Sequence, residues 1–185
     1  DSSAASDVYK RQLSTAGRVG DGLIIQIAEP QIVKWLTEQA INAGKDIGKD
    51  MSNYKVMVAA PAYTGPTNKN LEKVKWFPAM VGNHVADIVE KYGKDTDEVP
   101  KSLTAYIEKR RGYDYSKHGQ SDNPYLDFIT DDVVESFCVL GEPEAHVEKL
   151  KVLENNGATQ FNIYLDNGDE EKIIADYGEK IIPHF

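Results

Sequence analysis

The stretch GDGLIIQIAEPQIVKWL, residues 20–36, decides the fold class of this chain. Residues 22–27 (GLIIQI) form a short apolar run, rich in β-branched side chains, which predicts a strand buried on both faces. Pro30 then occupies a position that prolines favour, the first turn of a helix. A strand that leads directly into a helix is the repeating unit of parallel α/β folds.

Two further units of this kind are predicted. Residues 54–60 (YKVMVAA) form an apolar strand, which Pro61 and the Gly65-Pro66 pair are expected to end. Residues 160–165 (QFNIYL) follow an Asn-Gly helix stop and lead into a helix over residues 170–182. Three βα units in series predict parallel strands with right-handed crossovers, either in an open sheet or in an eight-stranded barrel. Three strands are too few for either architecture to bury both faces of the sheet well.

A helical insertion separates the second unit from the third. Helical patterns cover residues 68–92, where Pro78 is expected to break the helix, and residues 99–111. Residues 112–127 (GYDYSKHGQSDNPYLD) predict a loop, and long ordered loops in compact domains are usually functional. Two shorter helices are predicted to begin after Thr130 and at Pro143.

The composition excludes several function classes. A net charge of −9 argues against a nucleic-acid surface, because phosphate binding needs concentrated Lys and Arg. The sequence contains no run of about 20 apolar residues, which a membrane span requires, and its histidines and cysteine show no metal-ligand spacing. Its one cysteine, Cys138, lies in the apolar run FCVL. We therefore expect a buried structural thiol and a location in the reducing cytoplasm.

The first twelve residues differ in character from the rest. SSAASDVYKRQ, residues 2–12, shows no helical or strand period and reads like the translation of a sequencing adapter. We expect residues 1–12 to be disordered and foreign to the fold, with native sequence beginning near Leu13.

Three segments resemble a known superfamily. AGRVGDGLIIQ (residues 16–26) resembles an Ala-Gly, Asp-Gly, strand signature of the luciferase-like monooxygenases, a superfamily of flavin- and deazaflavin-dependent oxidoreductases. FCVLGEPEAHVEKLKVLENNGATQFNIYL (residues 137–165) resembles their carboxyl-terminal signature. WFPAMVGNHVADIVEKYG (residues 76–93), with RRGYDYSKHG (residues 110–119), is similar to the deazaflavin-dependent subfamily.

This resemblance implies an α/β fold, the C-terminal part of a (β/α)8 TIM barrel with about three βα units and a helical insertion. Residues 13–185 would then be the C-terminal half of a luciferase-like domain. The implied function is hydride transfer with coenzyme F-420, or monooxygenation with FMN, on a small-molecule substrate. The resemblance also implies a homo-oligomer at full length. Because most catalytic side chains would lie upstream, the fragment alone is expected to be inactive, and its catalytic residues are unknown.

Candidate site residues follow from the barrel rule that active sites lie at the carboxyl ends of the strands. Gln26 ends the first strand, and its position matches a cofactor-contacting threonine of the related deazaflavin-dependent glucose-6-phosphate dehydrogenases. Tyr63 ends the second strand and is a candidate substrate contact. Tyr113, Tyr115 and His118, on the predicted loop, are also candidate substrate contacts. A packing or surface role is the alternative for each of them.

Two acidic residues count against this cofactor assignment. Glu29 and Glu135 align with lysines that hold cofactor phosphates in the glucose-6-phosphate enzymes, and a carboxylate repels a phosphate. A non-catalytic luciferase-like paralogue or partner subunit therefore stays open as an alternative. A different TIM-barrel enzyme, such as a sugar-phosphate isomerase, is disfavoured because Gly65 and Gly168 lack the expected phosphate-binding context.

The remaining features are expected to be structural. Gly20 and Gly22 permit close backbone approach at a helix-to-strand turn, where Asp21 accepts backbone N–H bonds. His146 is expected on an exposed helix face, with no role.

Overall fold

The computed structural model describes residues 2–82, 129–165 and 168–185, with side chains from residue 11 onward. The predicted helix over 99–111 and the predicted loop over 112–127 lie outside these residues. The described elements, in chain order, are α1 (Ser2–Val19), β1 (Gly22–Ile25), α2 (Pro30–Lys45), β2 (Lys55–Thr64), α3 (Thr67–Val74), α4 (Asp131–Phe137), β3 (Val139–Gly141), α5 (Pro143–Asn155), β4 (Gln160–Tyr164) and α6 (Glu170–Asp176). A π-helical turn, Tyr177–Ile181, and a 3₁₀ turn, Ile182–His184, continue α6.

The four described strands form one parallel sheet centred on β2. β1 pairs with residues 55–58 of β2, β4 pairs with residues 57–61, and β3 pairs with residues 62–64. All three pairings are parallel, as the succession of βα units predicts. The α/β fold class is therefore confirmed.

One face of the sheet is covered by helices, and the opposite face is exposed only in part, because residues 58–64 of β2 are all buried. Strand residues alternate between faces, and those that point towards the helices are buried, such as Ile25, Val56 and Val58. They pack with the apolar stripe of α2 in a single core. The side chains that alternate with them point to the other face of the sheet. Ile24, which pairs with Met57, is one of these and is 63% exposed. We call this the open face; its members include Ile24, Gln26, Met57, Gln160, Asn162 and Tyr164.

The expected disorder of residues 1–12 is wrong for residues 2–12, which lie in helix α1. Ala, Lys, Arg and Gln in this segment favour helix, and the helix continues into residues that pack against α2. The adapter origin of the segment stays a prediction.

Two expectations about strands are also wrong. β2 does not end at Pro61 but continues to Thr64. Pro61 has no N–H to donate, and it stands at the last position that pairs with β4, immediately before β3 takes over the pairing. The sheet has a fourth strand, β3, which the sequence analysis did not predict; at three residues it is too short to show a period.

The helix boundaries follow the local signals closely. Helix α3 ends at Val74, four residues before Pro78, because a proline ring clashes with the carbonyl four residues earlier. Residues 76–82 are helical again, so the predicted break is confirmed. Gly157, at φ +101°, ends α5 at the predicted Asn-Gly stop.

The signature glycines mark close approaches of the backbone. A Cβ on Gly20 would lie 2.7 Å from the carbonyl oxygen of Ala16, and one on Gly22 would lie 2.6 Å from that of Lys55. The predicted structural role of both glycines is confirmed. The exposed Asp21 joins this turn through its own carbonyl oxygen, which accepts the N–H of Lys55 at 3.1 Å.

Candidate functional site

The open face carries a polar pair where the strands end. Gln26 follows β1 and Tyr164 ends β4, with β2 between them. The side-chain nitrogen of Gln26 donates a hydrogen bond to the Tyr164 hydroxyl at 2.8 Å. This bond spans the sheet at the carboxyl end of the strands, the end that carries the active site in parallel α/β barrels. We call Gln26, Tyr164 and the end of β2 between them the binding edge.

Aromatic packing holds one member of this pair in place. The ring of Tyr164 lies 5.8 Å from that of Phe77, and Phe77 in turn meets Trp76 edge to face at 5.7 Å. Phe77 is fully buried, so its contact ties the Tyr164 ring to the core. Gln26 remains exposed. The arrangement therefore holds an exposed amide against a tyrosine that packs on Phe77.

The other predicted substrate contacts do not join this pair in the described residues. Tyr63 is only 1% exposed, and the amine of Lys73 lies 5.3 Å from the centre of its ring. A contact between Tyr63 and substrate stays a prediction. Tyr113, Tyr115 and His118 lie outside the described residues.

A charged network surrounds the end of β2. The hydroxyl of Thr64 donates to Asp176 at 2.5 Å, and the amine of Lys172 donates to the Thr64 hydroxyl and to Asp176, both at 2.7 Å. Lys180 donates to the other carboxylate oxygen of Asp176 at 2.6 Å. The bonds from Lys172, Lys180 and Thr64 hold the pKa of Asp176 well below its usual range. Asp176 is therefore a fixed anion that ties the last helix to the strand end.

His146 is the residue that the sequence analysis misplaced. It is fully buried, not exposed. Its Nδ1 accepts a hydrogen bond from the Tyr177 hydroxyl at 2.9 Å, and its Nε2–H donates to the carbonyl oxygen of Tyr63 at 3.1 Å. Burial lowers the pKa of His146 to about 4, so the imidazole is neutral near neutral pH. The missed signal was its helical spacing of four and seven residues from Leu150 and Leu153.

The aligned acidic residues take different positions. Glu29 is buried and caps α2, with one carboxylate oxygen accepting the Ile32 N–H at 2.7 Å. Burial raises the pKa of Glu29. Glu135 is exposed, and its backbone carbonyl accepts from the Lys149 amine at 2.6 Å. Only Glu135 therefore presents its carboxylate to solvent.

Cys138 is fully buried, which confirms the predicted structural thiol, and burial raises its pKa. Lys149 lies beside it and donates to the backbone carbonyls of Ser136 and Cys138. Burial lowers the pKa of Lys149 to about 8. These contacts connect α5 to the turn between α4 and β3.

Two classes of site are not found in the described part of the chain. Within residues 2–82, 129–165 and 168–185, no cluster of three or more His, Cys, Asp or Glu could hold a metal ion. No described helix combines the length and the apolar character that crossing a membrane requires.

Comparison with known proteins places this geometry in a family. The family described as luciferase-like monooxygenase matches residues 4–160, which is most of the chain. The chain belongs to this family. The resemblance inferred from the sequence signatures is thereby confirmed, and the match includes residues that were expected to be foreign to the fold.

Individual relatives of this luciferase-like chain are about twice its length. A 5,10-methylenetetrahydromethanopterin reductase from Methanopyrus kandleri is 26% identical over 181 residues, which cover 94% of this chain and 47% of the relative. The chain thus spans about half the length of the curated relative that it matches.

Two solved structures share its fold. The coenzyme F420 dependent tetrahydromethanopterin reductase from Methanopyrus kandleri matches with a TM-score of 0.67 and 22% identity, over 95% of this chain and 48% of that structure. An F420-dependent secondary alcohol dehydrogenase, in complex with an F420-acetone adduct, matches with a TM-score of 0.59 and 15% identity, over 95% and 46%. The partial barrel fold implied by the resemblance is confirmed.

Proposed function

We propose that this chain forms the carboxyl-terminal part of a coenzyme F-420-dependent oxidoreductase that transfers hydride to or from a small organic substrate. The observation that carries the proposal is the Gln26–Tyr164 pair at the carboxyl edge of a parallel sheet, in a chain of the luciferase-like family. The similar reductase and alcohol dehydrogenase are both F420-dependent, which favours the deazaflavin over FMN.

The described residues fit the ring system of the cofactor. A deazaflavin ring has apolar faces and a polar edge, and Gln26 offers both a donor and an acceptor from its amide. The exposed Ile24 supplies apolar surface on the same face. Glu29 is buried and its carboxylate caps α2 instead of facing solvent, which weakens the objection that it would repel a cofactor phosphate. Glu135 still disfavours a phosphate at its own position.

Each residue has a defined part in this proposal. The cofactor, when bound, supplies the hydride chemistry, while the protein binds and orients it. Gln26 would hold the polar edge of the ring, and Tyr164 fixes the rotamer of Gln26 by accepting its N–H. Packing of Phe77 keeps water from one face of the Tyr164 ring.

Further parts of the proposal concern the setting of the protein. The single, buried Cys138 favours a reducing cytoplasm. A homo-oligomeric assembly of the full-length protein is also proposed, by analogy with the family. Monooxygenation with FMN is the competing chemistry.

Cofactor titration tests the proposal. We expect the full-length protein that contains this chain to bind F-420 more tightly than FMN, as followed by the fluorescence of each cofactor. Replacement of Gln26 by leucine should weaken F-420 binding about tenfold, the effect of one lost hydrogen bond. Gln160→Leu is the matched control, because Gln160 lies on the same face at the opposite end of β4.

Two outcomes would contradict the proposal. Binding of FMN without binding of F-420 would reverse the cofactor assignment, and binding of neither would remove the proposed function from this chain. Equal losses in Gln26→Leu and Gln160→Leu would show that the binding edge does not contact the cofactor.

A further inference from the structure

The end of β2 is held by side chains from outside the sheet. Its pairing with β4 stops at Pro61, and residues 62–64 pair with β3. Side chains from two helices add further bonds to this segment. The carbonyl oxygen of Tyr63 accepts the Nε2–H of His146 at 3.1 Å, and that of Thr64 accepts the amine of Lys172 at 3.3 Å. These two donors therefore add bonds from α5 and α6 to a strand segment that β3 also pairs.

His146 is the more constrained of the two donors. It is fully buried, whereas the side chain of Lys172 is 56% exposed. The hydroxyl of Tyr177 donates to Nδ1, which leaves the proton of the neutral ring on Nε2, facing Tyr63. The rings of His146 and Tyr177 also meet edge to face at 5.5 Å, so the imidazole is fixed in both orientation and tautomer.

We propose that His146 is a positioning residue for the binding edge, which it aligns through the carbonyl of Tyr63. This inference rests on the proposed function. β2 lies between β1 and β4, and Pro61 is in register with Tyr164. Pro61, which pairs with Tyr164, lies two residues before the Tyr63 carbonyl that His146 holds, so a shift of that carbonyl would pass along β2 to the surface between Gln26 and Tyr164. His146 acts from α5, on the helix side of the sheet, and does not itself touch the ligand.

The test compares three substitutions in the full-length protein that contains this chain. His146→Leu removes both hydrogen bonds at similar volume, and His146→Gln is the conservative variant, since its amide can both donate and accept. Leu153→Ala is the control for stability, because Leu153 is equally buried on the same helix and is absent from the hydrogen bonds at the end of β2. All measurements are made below the melting transition of every variant.

Two readouts are taken. One is the hydrogen-exchange rate of the Gly65 amide, divided by the exchange rate of a core amide such as that of Val58. The Gly65 N–H donates to the carbonyl oxygen of Gly141, beside the end of β2. The other is the dissociation constant for F-420. We expect His146→Leu to raise the relative exchange rate of Gly65 and to weaken F-420 binding, each about tenfold. His146→Gln should restore both, and Leu153→Ala should leave the relative rate and the affinity unchanged.

Each other outcome is decisive. Unchanged relative exchange at Gly65 in His146→Leu, or an equal loss of affinity in Leu153→Ala, would overturn the positioning role. If His146→Leu does not fold, Tyr177→Phe takes its place, because it removes only the hydroxyl that fixes the imidazole. We expect Tyr177→Phe to raise the relative exchange rate of Gly65 as well. An unchanged rate in this variant would overturn the proposal. A wild-type chain that binds no F-420 would refute the proposed function, while the exchange arm would still decide whether His146 holds the strand end.

Discussion

Replacement of Gly17 by alanine is expected to destabilise the chain by about 3 kcal/mol, the upper range for overpacking. Gly17 lies in α1 where this helix crosses α2. A Cβ built on Gly17 would lie 1.9 Å from the carbonyl oxygen of Ala40 and 2.8 Å from the carbonyl carbon. Both atoms belong to the backbone of α2, so the clash can be relieved only by moving the two helices apart.

The expected loss of stability in Gly17→Ala is opposite to the usual effect of this substitution in a helix. Glycine to alanine within a helix ordinarily stabilises by roughly 0.5–1 kcal/mol. Gly178 provides the matched control, because a Cβ there would meet no atom within 4 Å. Urea unfolding should show a lower midpoint for Gly17→Ala and an unchanged or higher one for Gly178→Ala. Equal stability of Gly17→Ala and the wild type would show that α1 does not pack closely on α2.

The Ala-Gly, Asp-Gly signature shows how much of the fold could be predicted from sequence. The apolar run after Gly22 indicated a parallel strand, and the glycines indicated close backbone contacts; the structure confirms both. The predicted burial of this strand on both faces is wrong, because Ile24 is 63% exposed. Strand β3 could not be predicted in the same way. Its three residues, Val139–Gly141, connect α4 directly to α5, and they form a strand because residues 62–64 offer them a partner.

The candidate site was predictable only in part. Gln26 was identified because a polar residue on an apolar strand needs an explanation, but its partner Tyr164 is 138 positions away. Parallel pairing of β1 and β4 with β2 brings the two side chains together. A local sequence pattern cannot predict a contact between residues so far apart in the chain. His146 was misplaced for a related reason, since its partners Tyr63 and Tyr177 are 83 and 31 positions away.

Acidification from about pH 7 to about pH 4 is expected to lower the stability of the chain by about 3 kcal/mol through His146 alone. The pKa of His146 falls from an ordinary value of 6.5 to about 4 in the folded chain. Burial is the largest cause, and Lys149 lowers the pKa further, while Asp176 and the bond to Tyr63 act against them. Between these two pKa values the unfolded chain binds a proton that the folded chain does not. Stability therefore falls as the pH decreases through this window.

Other groups titrate nearby, so a comparison of variants isolates the effect. The pKa of Glu29 is raised, which adds stability as the pH falls, whereas the lowered pKa of Asp176 removes stability only at more acidic pH. In urea unfolding across the window, wild type should be more stable than His146→Gln near neutrality, and this difference should shrink by about 3 kcal/mol towards pH 4. His184→Gln, which removes an exposed imidazole instead of the buried one, is the control variant. A constant difference between wild type and His146→Gln would mean that the buried imidazole takes up its proton without loss of folding, contrary to its two hydrogen bonds to Tyr63 and Tyr177.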